Sequence, residues 1–114
     1  MPEIGSEAWI DALNAAVADL EAPAVDVTVL HRIEGGPAWL ITVAEGTIGI
    51  DMADPGDDAD LVFSWQRDDA RAVAHGEIGP LVPFQAGRLK VGGDLSRLAE
   101  VSDLFARFPA VAAD

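Results

Sequence analysis

Cysteine is absent from the 114-residue sequence, and its absence excludes several kinds of chemistry. Disulfide bonds, thiolate nucleophiles and zinc or iron–sulfur centres held by cysteine cannot form. A chain without cysteine also suits a reducing compartment. No stretch approaches the roughly 20 apolar residues that a helix needs to cross a bilayer, and residues 1–7 hold acids where a signal peptide needs a basic patch. We therefore expect a soluble, cytoplasmic protein.

Basic residues are scarce as well, since seven Lys and Arg face twenty Asp and Glu, for a net charge of −13. Such a field repels phosphate backbones and anionic headgroups. Nucleic acid is therefore not an expected partner, and transient contact with a membrane is not favoured by charge. Residues 1–86 hold sixteen acids and three bases, whereas residues 87–114 hold four of each. All of the net negative charge thus lies outside the C-terminal segment.

Half of the residues are apolar, and the length is that of one ordinary domain. We expect residues 1–114 to form a single domain around one core. A fold of this size removes only roughly 65% of its unfolded surface from water. An internal cavity would lower the already small free energy of unfolding. We therefore expect any cavity to hold an occupant that offsets this loss.

The first half of the sequence predicts one helix followed by an antiparallel meander. Apolar residues recur at helical spacing over residues 6–21, with Ser6 as the N-cap and Pro23 as the stop signal. Alternation with a period of two then predicts strands over residues 25–34, 39–43 and 47–52. Short connections between these strands favour antiparallel hairpins.

The second half predicts two more strands and two helices. Residues 61–66 and 88–91 alternate as strands. A short helix begins at the acidic pair Asp68-Asp69, continues to His75 and ends at Gly76, whose missing Cβ suits the left-handed conformation.

A loop and a final helix complete the chain. Pro80 and Pro83 exclude regular helix from the loop over residues 77–87. Asp94 is a good N-cap for an amphipathic final helix. The alanine-rich segment after Pro109 is expected to fray.

One segment is distinctive. It reads Gly87-Arg88-Leu89-Lys90-Val91-Gly92-Gly93-Asp94, and it lies between the proline and phenylalanine loop of residues 80–84 and the final helix. In this order, the stretch from Leu61 to Phe108 resembles the sterol carrier protein 2 family. The resemblance implies an α/β (α+β) fold, in which a five-stranded mixed, largely antiparallel sheet carries helices on one face. It also implies a tunnel between the layers that holds a fatty acyl chain, a sterol or a related lipid.

The resemblance suggests which residues line such a tunnel. We expect ligand-binding side chains on the strands, on the proline-containing loop and on the final helix, namely His31, Phe63, Trp65, Leu81, Phe84, Leu89, Val91, Leu98 and Phe105. Arg88 or Lys90 is expected near the mouth, where it would attract a carboxylate. Burial of methylene groups at about 0.8 kcal/mol each favours binding without a charged clamp. The predicted function is the non-catalytic binding or transfer of a lipid-like molecule (fatty acyl, sterol or polyketide-like).

The two histidines lie in different settings. His31 falls in phase with Val29 and Ile33 on an otherwise apolar strand face. It is either a hydrogen-bond partner for a ligand carboxylate or hydroxyl, or finds a partner within the protein. His75 precedes a terminating glycine, where an imidazole favours the negative end of a helix.

No catalytic or metal-ligating constellation is recognisable. Two histidines without cysteine supply neither a metal set nor a nucleophile with its base. Residues 54–60 are rich in aspartate but lack the spacing of an EF-hand loop. The glycines of residues 87–94 lack the spacing of a phosphate-binding loop, so they favour a tight turn into the final helix. We expect no cofactor and no enzymatic activity.

Two other functions stay open at this point. One is a structural or dimerisation module, with a homodimer as its assembly, whose tunnel is filled by its own side chains Phe63, Trp65, Phe84, Phe105 and Phe108. The other is an enzyme of acyl or isoprenoid chemistry, against which the lack of a reactive constellation argues.

Overall fold

Four α-helices and five β-strands make up most of the part of the chain that the computed structural model describes, residues 2–111 and 113. In chain order they are α1 (Glu7–Val17), β1 (Val27–Ile33), β2 (Ala38–Ala44), β3 (Thr47–Ala53), β4 (Leu61–Trp65), α2 (Arg67–Ala74), α3 (Leu81–Gln85), β5 (Lys90–Gly93) and α4 (Leu98–Ala106). A single 3₁₀ turn, Leu95–Arg97, leads directly into α4.

The strands form one mixed sheet in the order β3-β2-β1-β4-β5. The first three pair antiparallel, which confirms the predicted meander. β4 pairs parallel with β1, and β5 pairs antiparallel with β4. The register sets His31 of β1 opposite Trp39 on β2 and opposite Phe63 on β4. Because side chains alternate across a strand, these three residues share one face of the sheet, which we call the inner face.

The helices pack on the inner face. Apolar side chains of α1, α2 and α4 join those of the inner face in one buried cluster, which includes Trp9, Leu13, Ala70, Val101 and Leu104. Burial of such side chains is the main favourable term for this arrangement, at roughly 1.5–3 kcal/mol for each large one. The five-stranded mixed sheet with helices on one face is thereby confirmed.

The first helix begins where the sequence predicts but ends earlier. Ser6 is the N-cap, and its hydroxyl oxygen accepts a hydrogen bond from the backbone N–H of Trp9. The prediction of a helix over residues 6–21 is wrong at its C-terminal end, because α1 stops at Val17. This early end leaves the acids at 19 and 21 outside the helix.

The prediction that Pro80 and Pro83 exclude a helix is wrong. Pro80 is the N-cap of α3 and Pro83 lies in its first turn, where the backbone N–H has no intrahelical partner, so the missing donor costs nothing. The helix buries Pro83, and the carbonyl of Pro83 accepts a hydrogen bond from the backbone N–H of Leu89. Leu81 and Phe84 consequently face solvent, with exposed fractions of 62% and 44%.

The final helix begins one turn later than predicted. The Asp94 carboxylate accepts a hydrogen bond from the backbone N–H of Ser96, so it caps the 3₁₀ turn and not α4 itself. Leu95 is exposed, whereas Val101 and Leu104 are buried against the sheet.

Candidate functional site

An apolar cavity of about 240 Å³ lies between the inner face and the helices. Side chains of β1, β2 and β4 form its floor, and its walls come from α1, α2, α4 and the segments that follow α2 and α4. None of the described residues that line it is an acid or a base other than His31. The cavity therefore suits an apolar ligand and offers no counter-charge to an ion.

The cavity opens to solvent between two segments. The lining residues that are themselves exposed are Gly76, Gly79, Ala106, Pro109 and Ala110. They belong to the loop after α2 and to the chain at and after the end of α4. Gly76 has a φ of 74°, as its predicted role at a helix end requires. A Cβ on Gly76 would lie 3.3 Å from the Cβ of Ala110, so glycine lets the two segments approach closely.

His31 lies in the floor of the cavity within a cluster of aromatic rings. Its Nδ1 atom accepts a hydrogen bond of 3.0 Å from the indole N–H of Trp65. Its ring stacks on Trp39 at a centroid distance of 5.6 Å and meets Phe105 edge to face at 5.5 Å. Burial lowers the pKa of His31 from 6.5 to about 3, so the imidazole is neutral at physiological pH. The Nε2 atom is buried and has no hydrogen-bond partner among the described residues.

Aromatic side chains fill part of the space between the layers. Phe105 packs edge to face against Phe63 and Phe108, at centroid distances of 5.8 and 5.2 Å. Trp9 packs in the same way against Trp39 at 5.0 Å. These rings shape the walls but leave the volume of about 240 Å³ open. The protein's own side chains therefore fill the interior only in part. Phe84, which the structural module with a self-filled tunnel also requires, lies outside on α3.

The segment after Pro109 is part of the cavity wall, so the prediction that it frays is wrong for its described residues. The carbonyl of Val111 accepts a hydrogen bond of 2.9 Å from the indole N–H of Trp9. Ala113 is fully buried, and its carbonyl accepts a hydrogen bond from Nε2 of His75. His75 is the C-cap of α2, as its predicted position at a helix end requires, and it also fastens this segment.

Four of the nine predicted ligand-binding residues line the cavity, namely His31, Phe63, Trp65 and Phe105. The other five are placed elsewhere: Leu81 and Phe84 on the exposed side of α3, Leu89 in the core, and Val91 and Leu98 half-buried at the edge of the core. α3 turns its apolar side chains outward because it buries Pro83, and Val91 stands on the edge strand, one strand beyond Phe63.

Several lining residues were missed by the sequence analysis. Trp9 and Leu13 were assigned to the apolar stripe of the first helix, and Trp39 to the second strand, but none was assigned to the cavity. Their positions in the apolar repeat of the helix and of the strand could have identified them. Large side chains on the covered faces of α1 and β2 must meet between the layers. Ala70 carries no such signal, because a small apolar residue fits any buried helix face.

Neither Arg88 nor Lys90 lies at the mouth of the cavity, so that expectation is wrong. Lys90 pairs with Ser64, which alternation places on the outer face of the sheet, and both line a separate polar groove with Arg32. Arg88 lines the same groove, and its Nε lies 2.9 Å from Oδ2 of Asp69 in an ion pair. The cations expected to attract a carboxylate therefore line a groove separate from the cavity.

The described residues contain no group of three or more acidic, histidine or cysteine side chains arranged to hold a metal ion. Across residues 2–111 and 113, every helix is too short or too polar to cross a membrane.

Comparison with known sequences relates the chain to lipid-transfer proteins. Residues 10–106 match the family model described as the SCP-2 sterol transfer family. Among curated proteins, the chain is 28% identical over 71 residues to hydroxysteroid dehydrogenase-like protein 2 of Bos taurus. That match covers 62% of this chain but only 17% of the bovine protein, so the chain spans a small part of this relative's length.

Comparison with solved structures identifies the same fold. The solution structure of palmitated SCP2L2 from Aedes aegypti aligns with a TM-score of 0.70 at 15% identity, over 90% of this chain and 95% of that one. A crystal structure of sterol carrier protein 2 aligns with a TM-score of 0.68 at 18% identity, over 93% and 96% of the two chains.

Proposed function

The chain belongs to the SCP-2 sterol transfer family, and from this premise we propose that its cavity binds a lipid-like apolar molecule without making or breaking a covalent bond. The observation that carries the proposal is the open volume between the aromatic rings and α4, because a core of this size would otherwise close around its own side chains. An apolar occupant would supply the van der Waals contacts that the lining side chains lack when the cavity is empty.

The cavity volume indicates the length of chain that fits. A group the size of water occupies about 30 Å³, so the cavity as it stands takes a chain of roughly eight carbons. Burial of that many methylenes at about 0.8 kcal/mol each corresponds to a dissociation constant of tens of micromolar at best. A longer chain would extend through the opening beside Gly76 and Ala110.

The proposal includes no catalytic step. Among the described residues that line the cavity, His31 is the one titratable side chain. Its pKa of about 3 makes it a poor general base at neutral pH. Its Nδ1 is already bonded to Trp65, so no neighbouring nucleophile is activated by it.

A structural or dimerisation module is the second candidate, and the partial filling by Phe63, Phe105 and Phe108 favours it. The bovine relative is consistent with this alternative, since the matching region occurs there as a fraction of a longer chain. Such a module would bind no lipid and show no thermal shift with one.

The test is ligand binding by the purified chain. Native mass spectrometry after expression without detergent is expected to show a co-purified apolar molecule. Addition of 1-octanol or 1-dodecanol is expected to raise the melting temperature in proportion to the logarithm of its concentration. No bound molecule and no shift with either alcohol would refute the carrier function and support the module.

A matched pair of variants on α2 checks where the alcohol binds. Ala70 lines the cavity and Ala72 does not. Ala70→Leu should weaken binding of 1-octanol at least tenfold by occupying the cavity, whereas Ala72→Leu should leave it unchanged. Circular dichroism establishes that both variants are folded. Equal binding by both would show that the alcohol binds outside the cavity.

The proposal also comprises a single domain over residues 1–114 and a cytoplasmic location. The cysteine-free composition supports a reducing compartment. One cooperative unfolding transition, seen alike by fluorescence and circular dichroism, is the test of the single domain.

A further inference from the structure

We propose that the Nε2–H group of His31 donates a hydrogen bond to an oxygen of the bound molecule, so that the cavity takes an uncharged chain bearing a ketone, ester or hydroxyl oxygen in preference to a carboxylate. The inference rests on the proposed function, because it concerns the occupant of the same cavity.

The hydrogen bond from Trp65 determines which ring nitrogen of His31 carries the proton. The indole N–H is a donor and never an acceptor, so Nδ1 of His31, 3.0 Å away, must present its lone pair. A neutral imidazole holds one proton, and that proton is then on Nε2. His31 therefore presents a donor and not an acceptor at its second nitrogen.

This donor is buried without a partner. The Nε2 atom has no hydrogen-bond partner among the described residues, and His31 is part of the cavity floor. Its surroundings are the rings of Trp39, Phe63 and Phe105, none of which carries an oxygen. Buried donors are almost always satisfied in native proteins, so an orphan donor on a ring that lines a cavity points to a partner that enters the cavity.

The surroundings of the cavity disfavour a charged partner. No acid, lysine or arginine is found among the described lining residues, and Arg88 and Lys90 line a separate groove. A carboxylate would lose its hydration there without gaining a counter-charge, and the neutral imidazole supplies none. A ketone, ester or alcohol oxygen accepts the same hydrogen bond at a much smaller desolvation cost.

Three probes of equal length separate these contributions: n-octane, 2-octanone and octanoate at pH 7.5. Their dissociation constants are measured by NMR titration for the wild type and for His31→Leu, which has no donor. The ratio of 2-octanone affinity to octane affinity is expected to be about fivefold higher in the wild type than in the variant, as a typical net hydrogen bond implies. Octane has no acceptor, so its affinity for each protein measures the cavity alone and is the reference for the ratio. Octanoate should bind the wild type at least tenfold more weakly than 2-octanone.

The outcomes distinguish this inference from the function on which it rests. If octane binds and the ratio of 2-octanone affinity to octane affinity is the same in His31→Leu as in the wild type, the proposed hydrogen bond is wrong. The N–H group would then be satisfied by an aromatic face. Octanoate binding as tightly as 2-octanone would overturn the preference for uncharged ligands. Failure of all three probes to bind would overturn the proposed function itself.

A second measurement on the wild type covers the event that His31→Leu does not fold. In protein labelled with ¹⁵N at histidine, the Nε2 resonance of His31 should shift on addition of 2-octanone and stay in place on addition of octane. Identical shifts with both probes would contradict the inference.

Discussion

Trp65 donates the hydrogen bond of its indole N–H to Nδ1 of His31, over 3.0 Å and between two strands that pair in parallel. The bond joins residues 34 positions apart in the chain and fixes the imidazole on the inner face. Trp65 is therefore a positioning residue for His31 as well as part of the cavity floor.

Replacing Trp65 by phenylalanine leaves Nδ1 of His31 buried without a donor. We expect Trp65→Phe to lower the free energy of unfolding by about 2 kcal/mol, because an unsatisfied buried group and the lost ring volume both destabilise the fold. Urea denaturation measures the loss. The control variants are His31→Leu and the double variant that carries both changes. If the two single losses of unfolding free energy add up to the loss in the double variant, the hydrogen bond contributes nothing to stability.

The burial of His31 makes the stability of the fold depend on pH. Its pKa falls from 6.5 to about 3 on folding, so the unfolded chain takes up a proton first as the pH is lowered. This stability is fully present above pH 6.5 and is lost progressively as the pH falls towards 3. At a pH of about 5, the free energy of unfolding should be lower by about 2 kcal/mol than at neutral pH.

Urea titrations between pH 7.5 and 5, above the range in which most carboxylates titrate, test this dependence. His31→Leu should lack the loss, and His75→Gln, which alters the other histidine, should retain it. An equal loss in wild type and His31→Leu would assign the effect to other groups.

The wall after α4 depends on its bond to α1. Trp9→Phe keeps most of the ring contact but removes the donor to the Val111 carbonyl, 102 residues away. We expect amide exchange at residues 110, 111 and 113 to quicken by roughly fivefold, as the loss of about 1 kcal/mol of local hydrogen bonding implies. Hydrogen exchange read by mass spectrometry measures it. Ala8→Ser, an exposed change on the same helix, is the control, and identical exchange in both variants would contradict the role of this bond.

Two adjacent glycines before the last helix should respond differently to alanine. Gly93 has a φ of 89°, and a Cβ on it would collide with the backbone carbonyl oxygen of Asp60. Gly92 has open space at that position. Gly93→Ala should therefore cost at least about 2 kcal/mol of unfolding free energy, while Gly92→Ala should be close to neutral. Similar losses in the two variants would show that the close approach of Gly93 to the Asp60 carbonyl oxygen is unimportant.

Local patterns were sufficient for most of the fold. Alternation along 25–34 predicted that His31 faces the covered side of the sheet, because a period of two is a property of neighbouring residues only. Gly76 and Ser6 were correctly assigned for the same reason, since each acts on the backbone within one turn. Gly93, in contrast, was assigned to a turn after a strand over residues 88–91, but it is the last residue of β5 and pairs with Leu61.

The cavity was predicted less well, since its walls depend on contacts distant in sequence. Leu81 and Phe84 are apolar and follow a proline, but a five-residue helix has no periodicity long enough to show which side it buries. The segment after Pro109 reads as a fraying end, but it is held by the distant donors of Trp9 and His75 and by burial of Ala113 in the core. The hollow itself has no sequence signal, because it is a space that side chains leave unfilled.

The parallel pairing of β1 with β4 joins two segments that the whole of β2 and β3 separates along the chain. A hairpin closes over a short loop, whereas this pair must restrict a much longer one before any contact forms. In pulse-labelled refolding, residues 27–53 should gain protection from exchange before residues 61–65, and simultaneous protection would contradict this order. Until α2 and α4 fold onto the inner face, part of the apolar side of β1 and β2 stays uncovered, which makes the half-folded chain prone to aggregation on the side that later encloses the cavity.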